Sequence, residues 1–112
     1  MERSSFVLVF GGSPFVRVLD FFLTYEGFDY SIAQIAEETE TKWESVNKAI
    51  KILIKKGVVK RTRKVGKAWL YILNKESRLT NLILEIDMKI SDFFVSQELE
   101  KQKLRVAVRL IK

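Results

Sequence analysis

TKWESVNKAIKILIKKGVVKRTRKVGKAWLYIL, residues 41–73, decides how the rest of the chain is read. Thr41 followed three residues later by Glu44 has the form of a capping box, in which two side chains satisfy the free N–H groups of a helix start. Val46, Ile50, Leu53 and Ile54 recur at helical spacing as an inward face, and Ala49 allows a neighbouring helix to approach. Lys55-Lys56-Gly57 reads as a helix end: cations at the negative end of the dipole, then a Gly for the left-handed cap. Val58–Arg63 is then expected to be a strand, Lys64–Lys67 a turn, and Ala68–Leu73 the return strand. Trp69, Tyr71 and Leu73 would share one face of it, Leu70 and Ile72 the other.

The same stretch holds the charge. Residues 42–75 carry eleven Lys and Arg against one acid, residues 1–41 two against seven, and residues 76–112 seven against six. The chain's net charge of +6 therefore comes entirely from its middle third, which points to a polyanionic partner.

Composition narrows the classes. A chain of 112 residues with 47% apolar side chains suits one globular domain. It has neither Cys nor His, so disulfides, thiolate chemistry and the commonest neutral metal ligand and general base are excluded. No run of 18 apolar residues is present to span a membrane, and FVLVF at 6–10 is too short for a secretory signal core. No acid pair or Gly-rich loop has the surroundings of a catalytic site, so no enzyme activity and no cofactor are expected.

Outward from the central stretch, Ser31 and Gln34 form a capping box for a helix of about two turns to Glu38. Ser13-Pro14 starts an earlier helix with Pro at its first position, and Phe15, Val18, Leu19, Phe22 and Leu23 form its buried stripe before Gly27. Tyr25, Phe28 and Tyr30 are expected to pack around the turn that follows. Residues 1–12, with the β-favouring Phe6–Phe10, read as an N-terminal strand or arm. In residues 76–97 a helical period returns. Leu79, Leu82, Ile83, Ile86, Ile90, Phe93 and Phe94 make an apolar face that either packs back on the first helix or, the reading favoured here, pairs two subunits. Residues 98–112 alternate from Leu104 to Leu110, either as a strand, slightly favoured, or as an extension of that helix.

The expected fold is α+β: a winged helix–turn–helix over 13–75, a C-terminal dimerisation helix, and short terminal strands or arms. A helix fits the major groove of duplex DNA, and a hairpin beside it reaches backbone or minor groove. Base contacts are expected from Lys42, Trp43, Ser45, Asn47 and Lys48 in the first turns of the second helix, with Trp43 alternatively a staple against the preceding helix. Backbone contacts are expected from Ser31, Thr41, Arg61, Arg63, Lys64 and Lys67. Lys55 and Lys56, at the far end of the helix, are read as solvated.

The segments SPFVRVLDFFL, YSIAQIAEET, TKWESVNKAIKILIKKGVV and RTRKVGKAWLYILN, in this order and spacing, resemble the winged helix–turn–helix transcriptional regulators of archaea, related to the MarR and ArsR types. The resemblance covers residues 13–75, extending to about residue 95, and leaves out both terminal segments. It implies a homodimer on double-stranded DNA near promoters, with helix 41–56 in the major groove and Lys64–Lys67 at the wing tip. A cytoplasmic location is expected because a chain without Cys suits a reducing cytosol. Lys48 stands where such helices are usually basic, whereas Trp43 departs from the small or polar residue common at its position. Metal sensors of the ArsR type use Cys and His, so metal sensing is not implied; a small-molecule effector stays open. Two other functions remain: a low-specificity architectural or replication-associated DNA binder, and a winged protein–protein interaction module.

Overall fold

Val18, Leu19, Phe22 and Leu23 recur on one side of helix α2 (Pro14–Thr24), and that side packs on Val46, Ala49, Ile50 and Leu53 of α4 (Trp43–Lys55). A computed structural model describes residues 4–111, in the order α1 (Ser5–Phe10), α2, β1 (Tyr30–Ser31), α3 (Ile32–Thr39), α4, β2 (Val59–Val65), β3 (Ala68–Leu73) and α5 (Arg78–Ile111). Ile35 of α3, Val58, Val59, Tyr71 and Leu73 complete the core. The three strands form an antiparallel sheet in the order β1-β3-β2. This is the α+β winged helix–turn–helix architecture, with a long C-terminal helix and a short β wing.

Local signals account for most boundaries. Ser13 Oγ accepts from Val16 N–H and Pro14 occupies the first turn, as expected. Ser31 and Gln34 form both halves of their capping box, at 3.2 and 2.9 Å. At the end of α4, Gly57 takes φ 76° while Val58 N–H donates to Leu53 O, closing the helix in a Schellman turn. Asn74 then binds this corner twice: its N–H donates to Val58 O and its Nδ2 to Gly57 O.

Several expectations are corrected. Phe6–Phe10 is neither strand nor arm but part of α1, capped by Ser4 and ended by Gly11 at φ 92°. Its β-favouring residues are overridden by packing: Phe6 and Val7 are buried, Phe6 stacks on Phe10, and α1 lies against α2 and α5. The rest of that N-terminal segment, residues 1–3, and Lys112 lie outside the described residues. Leu104–Leu110 is not a strand, because α5 runs unbroken for 34 residues, about 51 Å, and no strand from 6–10 exists to pair with it. On a helix, Leu104, Val108 and Ile111 fall at i, i+4 and i+7, continuing the side that carries Ile86, Ile90 and Phe93.

Thr41 does not cap α4. The preceding helix ends with Glu40 in the left-handed region (φ 52°), and Thr41 N–H donates back to Ala36 O. The Thr41 hydroxyl binds Thr39 O, so the cap position falls to Lys42, which offers no side-chain bond. Ile54 is exposed rather than inward, and Phe28 is exposed at the turn after α2, whereas Tyr25 packs there on Phe21 and Tyr30 as expected. Trp69 is also exposed, beyond the core end of the strand face it shares with Tyr71 and Leu73.

Candidate nucleic-acid interface

The tight turn at Glu40–Lys42 sets α4 across α3 and leaves one side of α4 open. With Val46, Ala49, Ile50 and Leu53 inward, the opposite side carries Glu44, Lys48, Lys51 and Lys55 at i, i+4, i+7 and i+11. Of the residues expected to read bases, Lys42 and Lys48 are exposed, Trp43 is 50% exposed at the first helical position, and Ser45 and Asn47 stand half-buried on the flanks. Trp43 is thus not sheltered as a staple against the preceding helix. Lys51, absent from the expected set, lies one turn beyond Lys48 on the same stripe. Its spacing from Lys48 was the signal in the sequence.

The expected backbone set divides. Ser31 is buried at the β1–β3 pairing, its hydroxyl occupied by Gln34 N–H, and is covered from any phosphate. Thr41 is half-buried with its hydroxyl donated to Thr39 O. Arg61, Arg63, Lys64 and Lys67 are all exposed in the β2–β3 hairpin, whose turn is Gly66-Lys67. The Arg61 guanidinium lies 4.8 Å and the Lys64 ammonium 5.9 Å from the centre of the Trp69 ring, so one aromatic ring gathers two cations.

Arg63 differs from its neighbours. Its Nε and Nη2 donate to the Asp29 carboxylate at 3.0 and 3.4 Å, and Thr62 Oγ1 donates to the same carboxylate at 2.7 Å. These bonds, Arg63 first and Thr62 second, hold the Asp29 carboxyl below the usual carboxylate range, and Asp29 in turn raises Arg63. Nothing in the sequence pairs residues so far apart.

On α5, Thr80 is fully buried and donates to Val58 O, while Ile83 and Leu84 pack on the core. Leu79, Leu82, Ile86 and Phe93 are exposed, with Ile90 and Phe94 half-buried. Between α1 and α5 lies an open cleft of about 280 Å³ lined by Val9, Ile86, Lys89, Ile90, Phe93 and Phe94. A second depression, about 370 Å³, is bordered by the mutually packed rings of Phe21, Tyr25 and Tyr30 and by Gln34, Glu37 and Glu38. Among the described residues no three acidic side chains gather to hold a metal ion, and no helix is long and apolar enough to cross a membrane.

The architecture recurs in solved structures, transcription regulators among them. The Staphylococcus aureus MepR–DNA complex matches with a TM-score of 0.62 at 14% identity, over 89% of this chain and 80% of that one. YusO from Bacillus subtilis matches at 0.60 and 18%, over 88% and 71%. A possible transcriptional regulator from Methanosarcina mazei matches at 0.52 and 17%, over 80% and 74%. At these identities the likeness is one of fold. No protein-family model matches the chain, and no curated protein does.

Proposed function

We propose that the protein is a double-stranded-DNA-binding transcriptional regulator that works as a homodimer by occupying DNA, with no chemistry of its own. The observation that carries this reading is the outward stripe of α4, where Lys48 and Lys51 stand exposed on one side, together with the exposed cations of the wing. A helix with that face presented fits a major groove, and Arg61, Lys64 and Lys67 then lie beside it for backbone or minor groove. The fold shared with a regulator solved in complex with DNA supports DNA binding.

The dimer part of the reading rests on α1 and α5. Leu79, Leu82, Ile86 and Phe93, with Leu8, Val9 and Phe10 of α1, are exposed together. Apolar patches of this extent are seldom left bare on a monomer, and a second copy offers the same surface in return. A cytoplasmic location and an archaeal setting belong to this reading.

A second reading is favoured by the composition of the stripe itself. Lysines neutralise phosphates on any sequence, and the residues better suited to reading bases, Ser45 and Asn47, stand aside from its centre. That fits an architectural binder of low specificity. Mobility shifts on random duplex and on duplexes selected by the protein, at ~150 mM salt, decide between them. Specific regulation requires the selected sites to bind at least ~10³-fold tighter. Equal affinity supports the architectural role, and no shift on either contradicts DNA binding and leaves a protein-interaction module.

A further inference from the structure

We propose that Asp29 is the positioning residue of the wing: by holding Thr62 and Arg63 it selects the hairpin register that presents Arg61 and Lys64 together. The proposal deepens the duplex-binding reading and rests on it for its consequence in DNA binding, though not for the register itself.

The pairing of β2 with β3 contains the reason. Arg61 stands opposite Tyr71, and Lys64 opposite Trp69, so three steps along β2 match two along β3. The extra residue is a bulge at Thr62–Arg63. Because Tyr71 and Trp69 share a face, so do Arg61 and Lys64, and both cations lie over the Trp69 ring. Remove the bulge, and Arg63 moves opposite Trp69 while Lys64 turns to the other face and pairs with Ala68. The turn then grows from Gly66-Lys67 to three residues.

Little else in the hairpin chooses between these registers. A one-residue slip is normally forbidden because it exposes a buried face, but residues 60–69 are exposed on both faces. Val59 and Leu73 anchor the base of the hairpin, below the bulge, and are the same in either register. Above them, among the described residues, the side-chain hydrogen bonds from β2 to a residue outside the hairpin are those accepted by Asp29, whose side chain is 19% exposed. It is held in place because Tyr30 and Ser31, directly after it, pair with β3 and start α3. Asp29 therefore refers the wing to the frame of the helix–turn–helix. Arg63, counted by sequence among the phosphate ligands, becomes the handle by which the wing is held.

The test uses Asp29→Ala, which fits the negative φ at this position. In wild type, nuclear Overhauser contacts should join the Trp69 ring to Lys64. In Asp29→Ala they should weaken, with contacts from Arg63 appearing and amide exchange rising in residues 60–69 alone. Duplex affinity should fall about three- to tenfold although an acidic group has been removed. Glu38→Gln, with the same change of charge on α3, should bind equally or tighter. Arg63→Ala should match Asp29→Ala, and the double variant should lose no more than either. Unchanged Trp69–Lys64 contacts in Asp29→Ala overturn the proposal. So does tighter duplex binding by Asp29→Ala with a greater loss in Arg63→Ala, which would make Arg63 a phosphate ligand. If wild type binds no duplex, the functional reading fails, and the Trp69 contacts alone decide the role of Asp29.

Discussion

Residues 13–75 and the second half of α5 are both rich in apolar side chains and dispose of them in opposite ways. In the first, Val18, Phe22, Ile35, Val46, Ile50, Leu53 and Val59 close on one another until almost none of their surface meets water. In the second, Val95, Leu99, Leu104, Val106, Val108, Leu110 and Ile111 all stand in solvent. The difference lies in connectivity. Short turns fold α2, α3, α4 and the hairpin back on each other, whereas α5 runs on beyond the body and stretches the molecule to 65 × 29 × 21 Å. The apolar surface of the body is buried within one chain; that of α1 and α5 is left largely exposed, and in the proposed dimer a second copy would cover it.

Replacing one core residue and one tail residue is the strongest way to break this comparison. Phe22→Ala should cost about 3–5 kcal/mol in chemical denaturation, from lost burial and the cavity left behind, whereas Leu104→Ala should change the stability of a single subunit by less than about 0.5 kcal/mol. Equal costs would mean that the tail is packed on its own chain. Next in size, Ile86→Asp should raise the dimer dissociation constant at least about 100-fold in sedimentation, since an unpaired carboxylate in an apolar contact is costly. Its thermal midpoint at high dilution should stay near that of wild type; a dimer that persists would remove the shared surface from the account.

Smaller effects sharpen the boundary between the regions. Gly57→Ala should destabilise the body by about 1 kcal/mol through its left-handed φ alone, because no atom lies within 4 Å of the added Cβ. Thermal melts of that variant check whether the α4 corner is rigid. Asp87 sits where α5 begins to leave the body, and its carboxyl is raised by burial first and then by Asp20 and Glu26. A raised carboxyl is penalised when charged in the fold, so the penalty holds above its folded-state value and disappears as pH falls below the unfolded one. Asp87→Asn should therefore raise the thermal midpoint slightly at pH 7, the effect being kept small by solvent screening. Melts at about pH 3.5, below the ordinary Asp value, should show no gain.

How far the sequence reveals this division depends on the range of the interaction responsible. The starts of α2 and α3 are legible because Ser13-Pro14 and Ser31–Gln34 act within one turn. The start of α4 is displaced by one residue because the left-handed Glu40 draws Thr41 into the end of α3, which a Thr41–Glu44 pattern does not reveal. Phe6–Phe10 is a short apolar run that periodicity cannot assign, and its helix is settled by Ser4, Gly11 and burial against α2 and α5. The alternation of 104–110 suggests a strand only while its partner is imagined. Charge concentration in the middle third is plain in the composition, and Lys51 follows from the spacing of the α4 stripe. The withdrawal of Arg63 is not legible, because it depends on a carboxylate brought from the turn after α2 and on a bulge without a residue signature.

The most direct test of a dimer that docks two α4 helices on DNA is the distance between those helices. A chain without cysteine accepts a single spin label cleanly, and Lys55→Cys places it at the end of α4 away from the expected contact. Pulsed dipolar spectroscopy with saturating duplex should give one distance near 34 Å, broadened by the label arms, as required for successive major grooves on one face. No dipolar coupling with or without duplex, or a distance far from one turn of DNA that duplex leaves unchanged, would contradict the account.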